Sequence, residues 1–169
     1  MMKNALVLSA LFIAVSLLTQ CSRSPSSGES PEVGSPAPDF KLQDLEGRAV
    51  SLDQFRGRIV MLDFWATWCG PCLLTMPVLE NLAKEYPQDL KLLAINVAEP
   101  PDLVRSFVRQ RNISSTVLLD QEGKVGDMYG SESIPMQVLI DRTGVVRRVT
   151  VGYSSTLANQ LRSAIEQLR

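Results

Sequence analysis

The chain has 169 residues, a formal net charge of −1 and no histidine. Its length suits one domain with a single core, and its near-neutral charge predicts no nucleic-acid partner. Because histidine is the commonest general base and metal ligand, its absence excludes serine triads, Cys/His proteases and mixed Cys/His zinc sites. We expect no metal site.

Residues 1–20 are predicted to be a signal peptide. Lys3 precedes an apolar run over residues 5–18, which suits the core of such a peptide and is too short to span a bilayer comfortably. The run ends in the letters LTQC, which resemble the lipobox of bacterial lipoproteins, although Gln20 replaces the usual small residue. The resemblance implies that Cys21 is acylated. An uncleaved N-terminal anchor and a secreted protein with a spare thiol are the alternatives.

Residues 21–35 are predicted to be a flexible tether, and residues 36–169 the folded domain. The tether is rich in Ser, Pro and Gly and has almost nothing to bury. Each interpretation of the N-terminus places the domain outside the cytoplasm. With Cys21 acylated, the protein is a membrane-anchored lipoprotein facing the periplasm.

The domain is predicted to be an α/β layer with a mixed central sheet flanked by helices, because strands alternate with helices before a final hairpin and helix. The predicted elements in chain order are a hairpin turning at Glu46-Gly47, a helical turn at Leu52–Phe55, a buried strand at 58–66, a helix at 71–86, a strand at 90–98, a helix at 101–113, a strand at 116–120, a weak helix at 124–129, two strands joined at 142–144 and a helix at 156–168.

Cys69 and Cys72 form a C-x-x-C pair between a buried strand and a helix, the setting of a redox motif. At helical spacing their sulfurs lie on one face, close enough for a disulfide. Cys69 would sit at the helix N-terminus, where the dipole and unpaired N–H groups stabilise a thiolate, so we expect it to be the nucleophile and Cys72 the resolving thiol. Pro71 suits a first turn, and Gly70 lets the chain bend tightly.

Three stretches carry a resemblance to a known family that covers about residues 34–169: VGSPAPDFKLQDLEGRAVSLDQFRGRIVMLDFWATWCGPC, the dipeptide Met76-Pro77 that follows it, and SIPMQVLIDRTGVV further along the chain. Together they resemble the thioredoxin superfamily, most closely its extracytoplasmic TlpA/ResA-like branch. The resemblance implies a thioredoxin-like fold with an N-terminal hairpin. It also implies that residues 113–130 form a central strand-helix insert.

The resemblance also implies where substrate docks. A cis proline at Pro135 packs against the disulfide in this family and leaves the preceding backbone free to pair with an extended segment. Trp65 belongs either to the docking rim or to the core. The residues that we predict to form the substrate-binding surface are Trp68, Gly70, Pro71, Ile134 and Pro135.

Two positions depart from the ResA-like pattern. A glutamate is usual three residues after the second cysteine, but Thr75 stands there, and we interpret it as an exposed or capping hydroxyl. Asp63 occupies the place of the buried acid of cytoplasmic thioredoxins, so we expect a desolvated carboxyl that takes the proton of Cys72; a strand-end charge reaching solvent is the alternative. Met136 and Gln137 replace a threonine-rich pair, which predicts a different substrate preference.

The sequence thus predicts a membrane-tethered thiol-disulfide oxidoreductase that reduces disulfides of extracytoplasmic proteins, with apocytochrome c as one candidate substrate. Gly70-Pro71 resembles the reducing members of the family. No organic cofactor is needed, since the redox group is the Cys69–Cys72 pair. Electrons would come from a transmembrane thiol carrier of the CcdA or DsbD kind, and we expect a monomer.

Three other functions use the same cysteines. Peroxide reduction is disfavoured because Ala66 stands where peroxiredoxins carry a threonine. Carriage of Cu(I) suits soft thiolates, but the copper-delivering Sco relatives have a wider cysteine spacing and a histidine. A structural disulfide without turnover is the third alternative.

Overall fold

The computed structural model describes residues 31–169; the predicted signal peptide 1–20, Cys21 and the tether up to residue 30 lie outside the described residues. The described chain forms a seven-stranded sheet in the order β2-β1-β5-β4-β3-β6-β7. The strands are β1 (Lys41–Asp44), β2 (Ala49–Ser51), β3 (Ile59–Trp65), β4 (Leu90–Val97), β5 (Thr116–Asp120), β6 (Met136–Ile140) and β7 (Val146–Val151). The helices are α1 (Gly70–Glu85), α2 (Pro101–Arg111), α3 (Lys124–Tyr129) and α4 (Leu157–Leu168), with a 3-10 turn at Leu52–Phe55. No helix in this part of the chain is long and apolar enough to cross a membrane.

The sheet is mixed, which confirms the predicted fold class. Strands β3, β4 and β5 run parallel, while β6 and β7 continue the sheet antiparallel on one side and the β1–β2 hairpin does so on the other. The parallel strands are largely apolar because helices cover both of their faces. Each helix, and each strand for which bounds were predicted, begins and ends within two residues of the predicted bounds.

Successive residues of β3 point to opposite faces of the sheet. Ile59 and Met61 belong to the apolar cluster formed with α1 and α4. Phe64 faces the other way and packs on Tyr129 of α3, with ring centroids 5.3 Å apart. By the same alternation Asp63 lies on the face that α1 covers. The sheet therefore aims this carboxyl at the helix that carries the cysteines.

The described chain is attached to the sheet slightly before Pro36. The N–H of Gly34 donates to the carbonyl of Val146 at 2.8 Å, and the N–H of Val146 donates to the carbonyl of Ser35 at 3.0 Å. Pro36 then pairs with Val145 in an isolated antiparallel bridge. The last residues of the predicted tether are thus fixed beside the start of β7, at the end of the sheet opposite the C-x-x-C motif.

Candidate active site

The cysteine pair lies where β3 leads into α1. Cys69 is the N-cap residue of α1, and Pro71 occupies the first turn. The two sulfurs form a disulfide of 2.05 Å with Cα atoms 5.3 Å apart, so this is the oxidised state. The N–H of Cys72 donates to Cys69 Sγ across 3.2 Å. A sulfur at this point receives both an N–H donor and the positive end of the helix dipole, and both stabilise a thiolate.

The two cysteines differ in access to solvent. Cys69 retains 4% of its surface, whereas Cys72 retains none. Gly70 and Pro71, which separate them, are exposed. Cys69 is therefore the more accessible of the two sulfurs, and an incoming disulfide can reach it while α1 stays folded.

The two tryptophans near the motif have different environments. Trp68, directly before Cys69, is 74% exposed. Trp65 is fully buried and packs on Phe107 of α2, with ring centroids 5.8 Å apart. Of the two predicted roles of Trp65, core packing is therefore the one observed, and of the two tryptophans it is Trp68 that exposes an apolar surface next to Cys69.

The proline loop lies beside the disulfide, at the start of β6. The Ile134–Pro135 peptide bond is cis, as the resemblance implied. Ile134 packs on the apolar cluster that contains Cys69 and Cys72. The carbonyl of Pro135 accepts a 2.7 Å hydrogen bond from the N–H of Gly152, which ties the loop to the end of β7. The predicted docking residues from distant parts of the chain therefore meet at one end of the sheet.

Asp63 is a carboxyl enclosed in the middle of the sheet, 1% exposed. Its register partners are Ala94 on β4 and Gln137 on β6. Ala94 belongs, with Trp65, to the apolar cluster that includes both cysteines. Burial raises the pKa of Asp63 to about 7, opposed by a hydrogen bond from Gln137. The alternative of a strand-end charge in solvent does not apply.

One side chain differs from its predicted placement. Thr75 is fully buried rather than exposed, because it lies on the inner face of α1 with Cys72, and its hydroxyl donates to the carbonyl of Cys72 at 2.9 Å. Met136 and Gln137 are also buried. Buried side chains cannot touch a docked substrate, so a direct effect of this pair on substrate preference has no structural basis.

Glu99 is a residue of the site that the sequence pattern did not single out. Its carboxylate accepts the N–H of Thr67 at 2.7 Å, the hydroxyl of Thr67 at 2.6 Å and the side-chain amide of Asn96 at 2.6 Å. Thr67 lies two residues before Cys69, so Glu99 fixes the loop that enters α1. The sequence signal that could have identified Glu99 is its position, between a buried strand and the Pro100-Pro101 dipeptide.

No metal-binding arrangement is present in residues 31–169, where no three cysteine or acidic side chains converge. The two sulfurs are bonded to each other in this state. The site therefore offers a dithiol/disulfide couple, a buried carboxyl with a raised pKa and an exposed tryptophan next to the first cysteine. Such a set can exchange electron pairs with another disulfide.

Comparison with known proteins agrees with this chemistry. The AhpC/TSA family profile matches residues 33–149. The thiol-disulfide oxidoreductase ResA of Geobacillus thermodenitrificans is 40% identical over 121 residues, which cover 71% of this chain and 70% of that protein. A crystal structure of a putative thiol:disulfide interchange protein DsbE from Chlorobium tepidum superposes with a TM-score of 0.78 at 32% identity, covering 82% of this chain and 99% of the other. The exposed lipoprotein thioredoxin of Streptococcus pneumoniae superposes with a TM-score of 0.70 at 26% identity, over 78% of this chain and 100% of its own.

The family profile spans more than half of the chain, and the ResA relative exceeds 30% identity over more than two thirds of its own length. The fold and the C-x-x-C disulfide are those expected of such relatives. The chain therefore belongs to the thioredoxin-like AhpC/TSA family and, within it, to the thiol-disulfide oxidoreductases.

Proposed function

We propose that this oxidoreductase works as a membrane-tethered reductase of extracytoplasmic protein disulfides. The observation that carries the proposal is the pairing of an N-cap sulfur at Cys69, which receives the N–H of Cys72, with the buried carboxyl of Asp63 on the sheet face below α1. The Cys69 sulfur is placed to be a thiolate anion, and the Asp63 carboxyl is placed to exchange a proton near neutral pH.

The first step is attack by the Cys69 thiolate on one sulfur of a substrate disulfide. A bond forms between Cys69 Sγ and that sulfur, the substrate S–S bond breaks, and the second substrate sulfur leaves as a thiolate that takes a proton from solvent. The helix N-terminus favours the attacking anion. Exposed Trp68 and the Ile134–Pro135 loop would hold the substrate chain, with its backbone in extended form.

The second step returns the enzyme to the observed disulfide. The carboxylate of Asp63 takes the proton of the Cys72 thiol, and the resulting thiolate attacks Cys69 Sγ. The Cys69–Cys72 bond forms, the mixed disulfide breaks, and the remaining substrate sulfur leaves with the electron pair. Each turnover thus reduces one substrate disulfide and oxidises one enzyme dithiol. A carboxyl with a pKa near 7 suits the transfer, because it can both gain and lose a proton at that pH.

Sustained reduction needs an electron source outside the cytoplasm. We propose a transmembrane thiol carrier of the CcdA or DsbD kind, since a dithiol donor can exchange directly with the Cys69–Cys72 disulfide and no organic cofactor is required. Apocytochrome c is the first substrate to test. Acylation of Cys21 would hold the domain near such a carrier, and a similar thioredoxin of Streptococcus pneumoniae is described as an exposed lipoprotein.

Reductase activity can be measured with insulin and dithiothreitol. The wild-type protein should accelerate insulin reduction, Cys69→Ser should abolish the acceleration, and Cys72→Ser should accumulate a mixed disulfide with its substrate. The reduction potential should lie closer to the value of about −270 mV for thioredoxin than to about −120 mV for DsbA. A potential near the latter value would make the protein an oxidant and contradict the proposed direction.

Replacing the buried acid separates the two chemical steps. Asp63→Asn should slow resolution of a preformed mixed disulfide at neutral pH by about 100-fold, the scale of general-base catalysis. Initial attack by Cys69 should change by no more than about twofold, because the helix N-terminus is intact. Stopped-flow measurement of both steps provides the comparison. Equal slowing of the two steps would refute the base role.

The lipid anchor can be tested by fractionating cells. Cys21→Ser should move the protein from the membrane fraction to the soluble fraction, whereas the matched Cys69→Ser variant should stay with the membrane. If Cys21→Ser stays there as well, the protein is held by an uncleaved N-terminal segment and not by a lipid.

A further inference from the structure

Gln137 faces Asp63 across two paired strands. The antiparallel register of β3 and β6 sets the two residues directly opposite each other, and their side chains lie on the same face of the sheet. The amide Nε2 of Gln137 donates to Asp63 Oδ1 at 2.9 Å. Both side chains are 1% exposed. The pair is thus a polar contact sealed inside the protein.

Asp63 receives no other side-chain hydrogen bond within residues 31–169, and no charged side chain there acts on it. Its neighbours are apolar along β3 and on β4, and the apolar cluster of α1 and α4 continues below it. The titratable groups that face it are the two cysteines of α1, which are joined here as a disulfide. Gln137 is therefore the one side chain of the described residues that is seen to donate a hydrogen bond to Asp63.

The other end of the same amide has no partner. Gln137 Oε1 is buried and accepts no hydrogen bond. A buried acceptor without a donor costs about 1–3 kcal/mol, so such an atom calls for a physical reason. A neighbouring carboxyl that changes its protonation state is such a reason. It needs a hydrogen-bond donor when it is ionised and a hydrogen-bond acceptor when it is protonated. A primary amide carries both.

We propose that Gln137 is a positioning residue that holds the Asp63 carboxyl in both of its protonation states. While the carboxyl is ionised, Nε2 donates to it, which is the contact present in the oxidised protein. After the carboxylate has taken the Cys72 proton, the amide turns end for end and Oε1 accepts the new O–H. The proton is released to solvent before the next turnover. This inference rests on the proposed role of Asp63 as the base.

The role has a direct consequence for the pH dependence of resolution. Without the amide, the carboxylate loses the one side-chain donor that the described residues give it, and the pKa of Asp63 rises. The base is then protonated at pH 7 and becomes active only at higher pH. The maximal rate should be preserved, because the carboxylate itself is still present. A residue that only fills space would lower the rate equally at every pH.

The test uses Gln137→Met, which keeps the length of the side chain and removes its hydrogen bonds. Resolution is followed as release of a chromogenic thiol from its mixed disulfide with Cys69, between pH 5 and 9 in the full protein. We expect the midpoint of the profile to move up by about one pH unit, the worth of one hydrogen bond to a charge, and the rate at pH 7 to fall about fivefold because the starting midpoint lies near 7. The plateau at high pH should stay within about twofold of the wild-type value.

Two controls keep the outcome unambiguous. Gln137→Asn retains both ends of the amide and should keep its midpoint closer to that of the wild type than Gln137→Met does. In an Asp63→Asn background, Gln137→Met should not move the profile further, since the titrating group is gone. Circular dichroism and unfolding curves establish whether each variant is folded. If Gln137→Met does not fold, the midpoint of the pH profile is compared between Gln137→Asn and the wild type instead.

The results separate two failures. If Asp63→Asn leaves the pH profile of resolution unchanged, Asp63 is not the base, and both the proposed mechanism and the role of Gln137 fall. If Asp63→Asn removes the pH step but Gln137→Met leaves the midpoint in place, only the role of Gln137 is refuted. A uniform loss of rate at all pH values refutes it as well and makes the residue structural.

Discussion

The site depends on one constraint, a carboxyl group enclosed by the central sheet under the helix that carries the cysteines. Asp63 sits between β4 and β6, 1% exposed and without a charged partner in the described chain. In such a place the ionised form loses its hydration, so the pKa rises to about 7 instead of remaining near 4. The fold therefore maintains a group that exchanges a proton at the pH at which thiols and disulfides react.

Cys69 and Asp63 have opposite electrostatic environments within a short distance along the chain. The sulfur of Cys69 receives an N–H and the dipole of a 16-residue helix, which favour negative charge. Asp63 lies among apolar side chains, which favour the neutral form. Glu99 holds Thr67, and thereby fixes the loop that joins these environments. This contrast between the sulfur and the carboxyl follows from where β3 ends and α1 begins.

Much of this arrangement could be predicted from the sequence, because apolar periodicity and turn residues are local signals. The order of elements, the helix beginning at the C-x-x-C motif and the burial of Asp63 depend on such signals. Contacts between distant segments are not local. The bond from Gln137 to Asp63 needs the register of β3 against β6, and the anchoring of Thr67 needs the loop after β4. The predicted exposure of Thr75 is wrong because neighbouring positions of a helix point in different directions, so an error of one residue moves a side chain from the outer face to the inner one.

The most direct test of the central claim is the pH dependence of unfolding of the oxidised protein, compared with Asp63→Asn. In the folded wild type the carboxyl keeps its proton up to about pH 7, whereas in the unfolded chain it ionises near 4, so burial costs stability increasingly as the pH rises between these values. The variant does not titrate. Its free energy of unfolding should equal that of the wild type near pH 4 and exceed it by about 2–4 kcal/mol above pH 7. A stability difference that does not change with pH would show that the carboxyl is not held in this state, and would contradict the account.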